Sequence, residues 1–387
     1  MTSKPPFGGE VIGDIAVGNL GKTQSGGTPS SKHSEYFGGD IPWIGTTALN
    51  GGVLDESNAV KFITEDAVEH SATKIVPAGS IMVGVRVGVG KVAVNSVPMC
   101  TSQDIVSIIG VDEQLWNKEY ISYAIQYKAP RLASQAQGAT ITGITSKALK
   151  AVTIPVREKS SQDQIVWTLN YLKELHLLSE QRLAKLDTLV KSRFVEMFGT
   201  AQDPKYAVVP VENVCSAIVD CPHETPKYEG CLVHPAIRTS ELTGTGISWE
   251  TMKYVSDEEY LRRIRRIKPL PGDVVYAREG TYGNAAVLPE GHDFCLGQRT
   301  MLFRPKAELC LSNYLLHALT SVDVKRQADE LNVGSTVPHV NVRDAKRFAI
   351  PMPPIREQQE FADFVAQVDK LRFVVIEFHE CRCSPIG

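Results

Sequence analysis

Three stretches of this chain place reactive residue types at suggestive spacings, and each would imply a different chemistry. Ala16-Val-Gly-Asn-Leu-Gly21-Lys22-Thr23 fits a relaxed phosphate-loop pattern, which would make a nucleotide hydrolase. Such a loop needs a helix N-terminus directly after Lys-Thr, so that backbone N–H groups and the helix dipole meet the phosphates. Here Gln24-Ser-Gly-Gly-Thr-Pro29 follows, which cannot continue as helix, and the reading is set aside. Gly84-Val-Arg-Val-Gly88-Val-Gly90 is glycine-rich enough to suggest a dinucleotide. Cys215, Cys221, His223, Cys231 and His234 form the one Cys/His cluster, but their spacing matches no compact zinc pair, and Pro222 and Pro235 suggest loops. No Ser/His/Asp set, catalytic carboxylate pair or HExxH helix stands out, so the chain reads poorly as a catalyst.

A fourth stretch, Arg262-Arg263-Ile-Arg265-Arg266-Ile-Lys268, is the strongest basic run. It has two open readings, a solvated face or a set of phosphate contacts that would fix register on a nucleic acid without reading sequence.

The elements that would position these residues occur twice. Ala78–Val94 (AGSIMVGVRVGVGKVAV) aligns at constant offset with Pro271–Val287 (PGDVVYAREGTYGNAAV), and Cys100 and Gln103 stand opposite Cys295 and Gln298. Gly138-Ala-Thr-Ile and Ile154-Pro155 stand opposite Gly334-Ser-Thr-Val and Ile350-Pro351, and each copy then enters a Gln-rich helix start, Ser161-Gln-Asp-Gln or Glu357-Gln-Gln-Glu. A period this long is a domain duplication rather than a solenoid repeat. In both copies the glycine-rich segment then reads as a hairpin turn, where Gly supplies positive φ. Whether its tip also reaches a groove stays open.

Each copy is predicted to be an α+β domain with a mixed, largely β core. Strands are expected at Ile41–Ile44, Ser80–Val87, Lys91–Val94 and Ile105–Ile109, then at Val274–Ala277, Ala285–Leu288 and Thr300–Phe303. One helix is expected near Asn117–Lys128 and another near Ser312–Ala328. The organisation is domain 1–155, spacer helix 156–199, domain 200–351 and a second, apparently short helix 352–387. Ile165, Leu169, Leu172, His176, Ser179, Leu183, Leu186, Val190, Arg193 and Met197 alternate steps of four and three, a heptad seam for pairing with another helix. Phe361, Val365, Val368, Leu371, Val375 and Phe378 give the second helix a comparable face. The competing reading is that each helix packs only on its own domain.

With 387 residues, 43% hydrophobic and 22% charged, the composition is that of a soluble globular protein of two or three domains. No run approaches a membrane span, and the start lacks the apolar core of a signal peptide, so a cytoplasmic protein with reduced thiols is expected. A net charge of −3 argues against an indiscriminate polyanion binder. Two similar modules at a fixed separation nonetheless suit duplex DNA, whose half-sites lie a defined distance apart.

Gly26-Gly-Thr-Pro29, Gly38-Gly-Asp-Ile-Pro-Trp43, Asp220-Cys-Pro-His-Glu-Thr-Pro-Lys-Tyr228, Pro271-Gly-Asp-Val-Val275 and the two Ile-Pro, Gln-rich helix starts together resemble the specificity subunit of type I restriction-modification systems. The resemblance covers nearly the whole chain. It implies two target-recognition domains, each reading one half of a bipartite double-stranded DNA target, spaced by an antiparallel coiled coil. It also implies that methyltransferase subunits dock on the helices and that an ATP-dependent restriction subunit joins them. S-adenosylmethionine, ATP and magnesium would belong to those partners, so no cofactor is expected on this chain, which is read as non-catalytic. A fused methyltransferase would need an Asn/Asp-Pro-Pro-Tyr/Phe motif, and the sequence has none. The alternative is a truncated or orphan subunit that binds the methyltransferase without productive recognition, since the second helix is shorter than family members carry.

Expected DNA contacts lie in loops and turns, where recognition residues concentrate: Lys32, Arg86, Lys91, Gln103, Thr140 and Thr142 in the first copy; Lys227, Arg278, Tyr282, Asn284, Arg299, Thr336 and His339 in the second. The frames agree while the tips differ, with Arg86 and Lys91 opposite Glu279 and Asn284, so two unlike half-sites are expected.

Overall fold

The computed structural model describes residues 9–134, 143–200, 202–230, 233–244, 246–332 and 339–383, the last eight by backbone alone. The chain forms two compact units, 1–175 and 176–387, which divide inside one long helix.

Ile81–Gly84 is apolar throughout and buried at every position, the pattern of a strand covered on both faces. Its side chains alternate between two cores: Ile81 and Val83 join one, Met82 the other. It lies at the centre of a five-stranded sheet, in the order Lys22–Ser25, Ile105–Ile109, Ile81–Gly84, Val92–Asn95, Val53–Leu54. A second sheet orders Lys61–Ile63, Phe37–Ile44, Met99–Thr101 and Ile75–Val76, and a two-stranded ribbon pairs Gly13–Ala16 with Thr153–Val156.

Unit 2 repeats the plan. Cys215–Asp220, Thr300–Pro305, Val274–Ala277 and Ala285–Val287 form one sheet, Lys253–Val255, His234–Ile237 and Cys295–Leu296 another, and Val208–Pro210 pairs with Ala349–Pro351. Val274 and Tyr276 face one core, Val275 and Ala277 the other. Cys100 pairs in parallel with Trp43, and Cys295 with Ala236, so the two cysteines aligned by sequence occupy equivalent strands. Burial pushes the Cys295 thiol up to about 12.

The helix expected near 117–128 runs Lys118–Ser134. Its counterpart is two helices, Ser312–Leu319 and Val322–Leu331. The break falls at Thr320-Ser321, where the Ser321 hydroxyl accepts the Val324 N–H at 3.3 Å, an N-cap that starts a new helix.

The spacer helix, Lys159–Phe198, is about 60 Å long at 1.5 Å per residue. Its beginning packs on unit 1 through Ile165 and Val166. Its end packs on unit 2 through Leu186, Val190, Phe194, Met197 and Phe198. Within unit 2 it meets Ile355–Cys383 antiparallel: Arg372 pairs with Asp187 at 2.5 Å, Arg193 lies 5.8 Å from the Phe364 ring, and Phe361 meets Phe194 and Phe198. Phe361, Val365 and Val368 are buried as the heptads require, and Val375 is half-buried. Leu371 is 56% exposed, and Arg372 takes the seam in its place. Leu183 is half-buried, while Leu169 and Leu172 are exposed. Phe194 and Phe198, outside the expected heptad positions, fill the centre of the seam because it must also receive Tyr314 from the domain.

His317 sits beneath this junction, edge-on to Phe361 at 5.1 Å. Burial, with Arg372 and Lys191 nearby, pushes its pKa down to about 4 from 6.5. The unfolded chain therefore binds the proton more readily. The resulting stability is complete above pH 6.5 and is lost as pH falls toward 4, by about 3 kcal/mol. Denaturant unfolding of the native chain against His317→Leu, at pH 7.5 and 4.5, should show about 2.5 kcal/mol less acid destabilisation in the variant. Equal acid sensitivity in the two would refute it.

Candidate nucleic-acid interface

In each unit the glycine-rich segment closes a hairpin by the same bonds. The Gly84 N–H donates to Lys91 and the Gly90 N–H to Gly84; the Ala277 N–H donates to Asn284 and the Gly283 N–H to Ala277. Gly88 and Gly90, Gly280 and Gly283 all have positive φ, which explains glycine there. The residue after each strand is pinned alike to the neighbouring turn: the Val85 N–H donates to Asp104 at 2.8 Å and the Arg278 N–H to Arg299 at 2.9 Å.

On unit 1, Lys32, Arg86, Lys91 and Gln103 are all exposed, and Arg86 approaches Asp104 at 3.6 Å. Arg86, Lys91 and Gln103 cluster around the hairpin and its neighbouring turn, whereas Lys32 lies in a separate loop. Thr140, Thr142 and Thr336 lie outside the described residues.

Unit 2 divides its expected contacts between structure and surface. Arg278 is largely buried, 3.6 Å from Asp220 and 3.4 Å from Glu279. Asn284 donates to the Leu242 carbonyl at 2.9 Å, tying the hairpin to its own domain. Half-buried Tyr282 bonds Asp329 under the Lys325 ammonium. Lys227, Arg299 and His339 are exposed, and His339 bridges the backbone of Glu279. Arg299, 3.2 Å from Glu279, is the one non-glycine of positive φ among the described residues, at 63°.

The basic run also splits. Arg262 and Arg263 close a helix, Asp257–Arg263, whose first turn carries Asp257, Glu258 and Glu259. That arrangement suits the helix dipole, and the acids after Ser256 were the sequence signal for it. Arg262 bonds Glu259 and Glu224 and holds both carboxyls below their ordinary range. Arg263 is buried, donating to the carbonyls of Leu296 at 2.9 Å and Glu224 at 3.2 Å. These two guanidiniums serve the fold, contrary to the run's face value as a continuous cationic strip. Arg265 and Arg266 stay exposed, the latter 2.8 Å from Asp220.

Of the Cys/His cluster, Cys231 lies outside the described residues, and the other four do not gather into a metal site. Cys215 begins a sheet strand, and His234 stacks on Tyr260 at 3.9 Å and meets Asp257 at 2.8 Å. Among the described residues no three His, Cys, Asp or Glu side chains are grouped to hold a metal ion, and no helix is long and apolar enough to cross a membrane. Lys22 and Thr23 lie in a strand.

Sequence reasoning missed two buried glutamines. Gln162 accepts the Asn117 N–H at 2.9 Å and donates to the carbonyls of Leu115 and Arg157. Gln358 accepts the Leu311 N–H at 2.8 Å and donates to Leu309 and Pro353. Their signal was the Gln-rich helix start in each copy.

The family model for the type I restriction modification DNA specificity domain matches residues 12–188 and 234–376. The chain belongs to this family. As a type I specificity-domain protein, it is 33% identical over 162 residues to the MjaIX specificity subunit of Methanocaldococcus jannaschii. It is 35% identical over 161 residues to the EcoR124I/EcoR124II specificity subunit of Escherichia coli. These stretches are 41% and 40% of this chain, and the chain spans only 37% and 39% of those two relatives. The M. jannaschii MjaVIII specificity subunit is 21% identical over 92% of this chain and 86% of its own length. The S subunit from M. genitalium superposes with a TM-score of 0.51 at 14% identity, covering 95% of this chain and 92% of that one. A chain of a type I R-M system, solved for its complex assembly and conformational transition, superposes with a TM-score of 0.59 at 16% identity, over 98% and 95%. At such identities the structural likeness establishes the fold alone.

Proposed function

We propose that this chain is the non-catalytic, sequence-specific DNA-recognition subunit of a type I restriction-modification complex. Each unit reads one half of a bipartite duplex target, and methyltransferase and ATP-dependent restriction subunits act where the chain places them. The observation that carries this reading is the frame built twice, identical in backbone bonding at the hairpin and different in the side chains at its tip. A repeated frame with unlike tips suits two unlike half-sites, because base edges are discriminated by side chains. The domain organisation proposed is 1–155 and 200–351 for recognition, with 156–199 and 352–387 as spacer helices. Exposed Trp167, Tyr171 and Leu172 on the first spacer helix, and Leu371 and Phe373 on the second, supply apolar surface for the methyltransferase subunits.

The contacts follow from exposure. Arg86, Gln103, Arg299 and His339 are base readers; Lys32, Lys91, Lys227, Arg265 and Arg266 are phosphate contacts. Thr140, Thr142 and Thr336 join the readers by their places in the repeat. Arg262, Arg263, Arg278, Tyr282 and Asn284 position the loops. The chain, expressed with the methyltransferase subunit of its own system in a methylation-free host, should yield a modified two-part motif with unlike halves. A motif of identical halves, or co-purification without methylation, refutes the reading. Arg265→Ala with Arg266→Ala should weaken binding to all sequences alike and reduce the salt slope by about 2, as fluorescence anisotropy across a salt series would show.

A further inference from the structure

The two hairpins carry the same ion pair with its charges exchanged. In unit 1 the hairpin supplies the cation, Arg86, and the neighbouring turn the anion, Asp104, at 3.6 Å. In unit 2 the hairpin supplies the anion, Glu279, and the turn the cation, Arg299, at 3.2 Å. The backbone rung beneath is the same one, Val85 to Asp104 in the first copy and Arg278 to Arg299 in the second. In both pairs the guanidinium is the outer partner: Arg86 and Arg299 are 48% and 62% exposed, Asp104 and Glu279 only 26% and 24%. Each carboxylate is the more buried partner, and each guanidinium stays accessible with donors that the pair does not use.

Unit 2 reinforces its version. Glu279 divides its oxygens between Arg278 at 3.4 Å and Arg299 at 3.2 Å, so the carboxylate is fixed on both sides. Arg299 keeps a backbone φ of 63°, a region where glycine is the default residue. The backbone bond from Arg278 and the pair with Glu279 hold it there. Arg299, Gln298 and His223 line one polar cavity with Arg278 and Glu279, of about 230 Å³.

We propose that this exchanged pair decides which base position each half-site reserves for guanine. Arg86 in unit 1 and Arg299 in unit 2 each present the guanidinium fork to the O6 and N7 edge of a guanine in the major groove. Asp104 and Glu279 are positioning residues. The exchange moves the arginine's backbone anchor from the hairpin to the neighbouring turn, so the fork leaves the shared frame from a different element in each unit. The two half-sites therefore carry their guanines at non-equivalent positions relative to the shared frame. The inference rests on the recognition reading above and adds to it which residue reads, what it reads, and why the halves differ.

The test uses the full chain in complex with its methyltransferase subunit and measures methylation rates on duplexes carrying every single-base change in both half-sites. Arg299→Lys keeps the charge and loses the fork, and Arg299→Gly suits the backbone and loses both. Each should reduce discrimination at one base of one half-site by about 10- to 100-fold and leave the other half unchanged. Arg86→Lys should do the same in the other half, at a different distance from the spacer. Unchanged discrimination in Arg299→Lys, or an equal loss on every sequence, would make Arg299 a phosphate contact and overturn the proposal. Failure of the unsubstituted complex to modify any duplex would instead overturn the recognition reading, and is distinguished by appearing without a substitution.

Discussion

Gln358→Leu should lower the stability of unit 2 by about 4 kcal/mol, and Gln162→Leu should do the same to unit 1. Each side chain is fully buried and makes three hydrogen bonds to backbone. Leucine occupies a similar volume but removes the partners of one N–H and two carbonyls. Stranding a buried polar group costs roughly 1–3 kcal/mol, and some relaxation toward water reduces the sum. For a unit of this size the loss corresponds to about 10 °C in Tm. Each substitution should lower the unfolding of its own unit, followed by hydrogen exchange in peptides from each half. A loss under about 1 kcal/mol would show that these bonds are dispensable. The glutamine joins the first turn of a long helix to the segment entering the domain's own helix, at Asn117 in one copy and Leu311 in the other. It therefore fixes the direction in which each spacer helix leaves its domain.

What was legible in the sequence was whatever repeats. Strands were expected at Ser80–Val87 and Val274–Ala277; the structure keeps the second as it stands, shortens the first to Ile81–Gly84, and buries both on two faces. The offset between copies predicted equivalent hairpins, and the heptads predicted that the two long helices pair. The family likeness rested on ordered motifs along the chain, and the family model bears it out. What was not legible depends on where a side chain finds its partner. Arg262 and Arg263 look identical to Arg265 and Arg266 in sequence. Their roles separate only when the acids of their own helix and the carbonyls of Leu296 and Glu224 come within reach. Asn284 read as an exposed tip and proved to be a tether. Phe194 and Phe198 broke the heptad because the seam must accept Tyr314 as well as the second helix. The exchanged ion pair became visible only once the rungs Val85 to Asp104 and Arg278 to Arg299 were seen to be equivalent.

Phe361→Ala should cost unit 2 about 4 kcal/mol and release the second spacer helix first. Its ring is fully buried, edge-on to Phe194 at 5.4 Å, Phe198 at 5.5 Å and His317 at 5.1 Å. It therefore touches the spacer helix, the domain helix Ser312–Leu319 and its own helix at one point. Alanine leaves a cavity bounded by three elements, and rings held by one another on three sides have little room to collapse into it. Leu371→Ala, ten residues further along the same helix and 56% exposed, should change stability by no more than ~0.5 kcal/mol. Hydrogen exchange over 355–375 distinguishes the causes. Faster exchange throughout that segment in Phe361→Ala, with the sheet of unit 2 still protected, means that the aromatic junction docks the helix. Protection equal to the native chain would mean that the Arg372–Asp187 pair and Val365 and Val368 suffice. The dependence should carry to function, because a helix released at Phe361 no longer presents Leu371 and Phe373 from a fixed axis. A Phe361→Ala chain should then retain less methyltransferase subunit on co-purification, while Leu371→Ala, which leaves the junction intact, separates loss of surface from loss of docking.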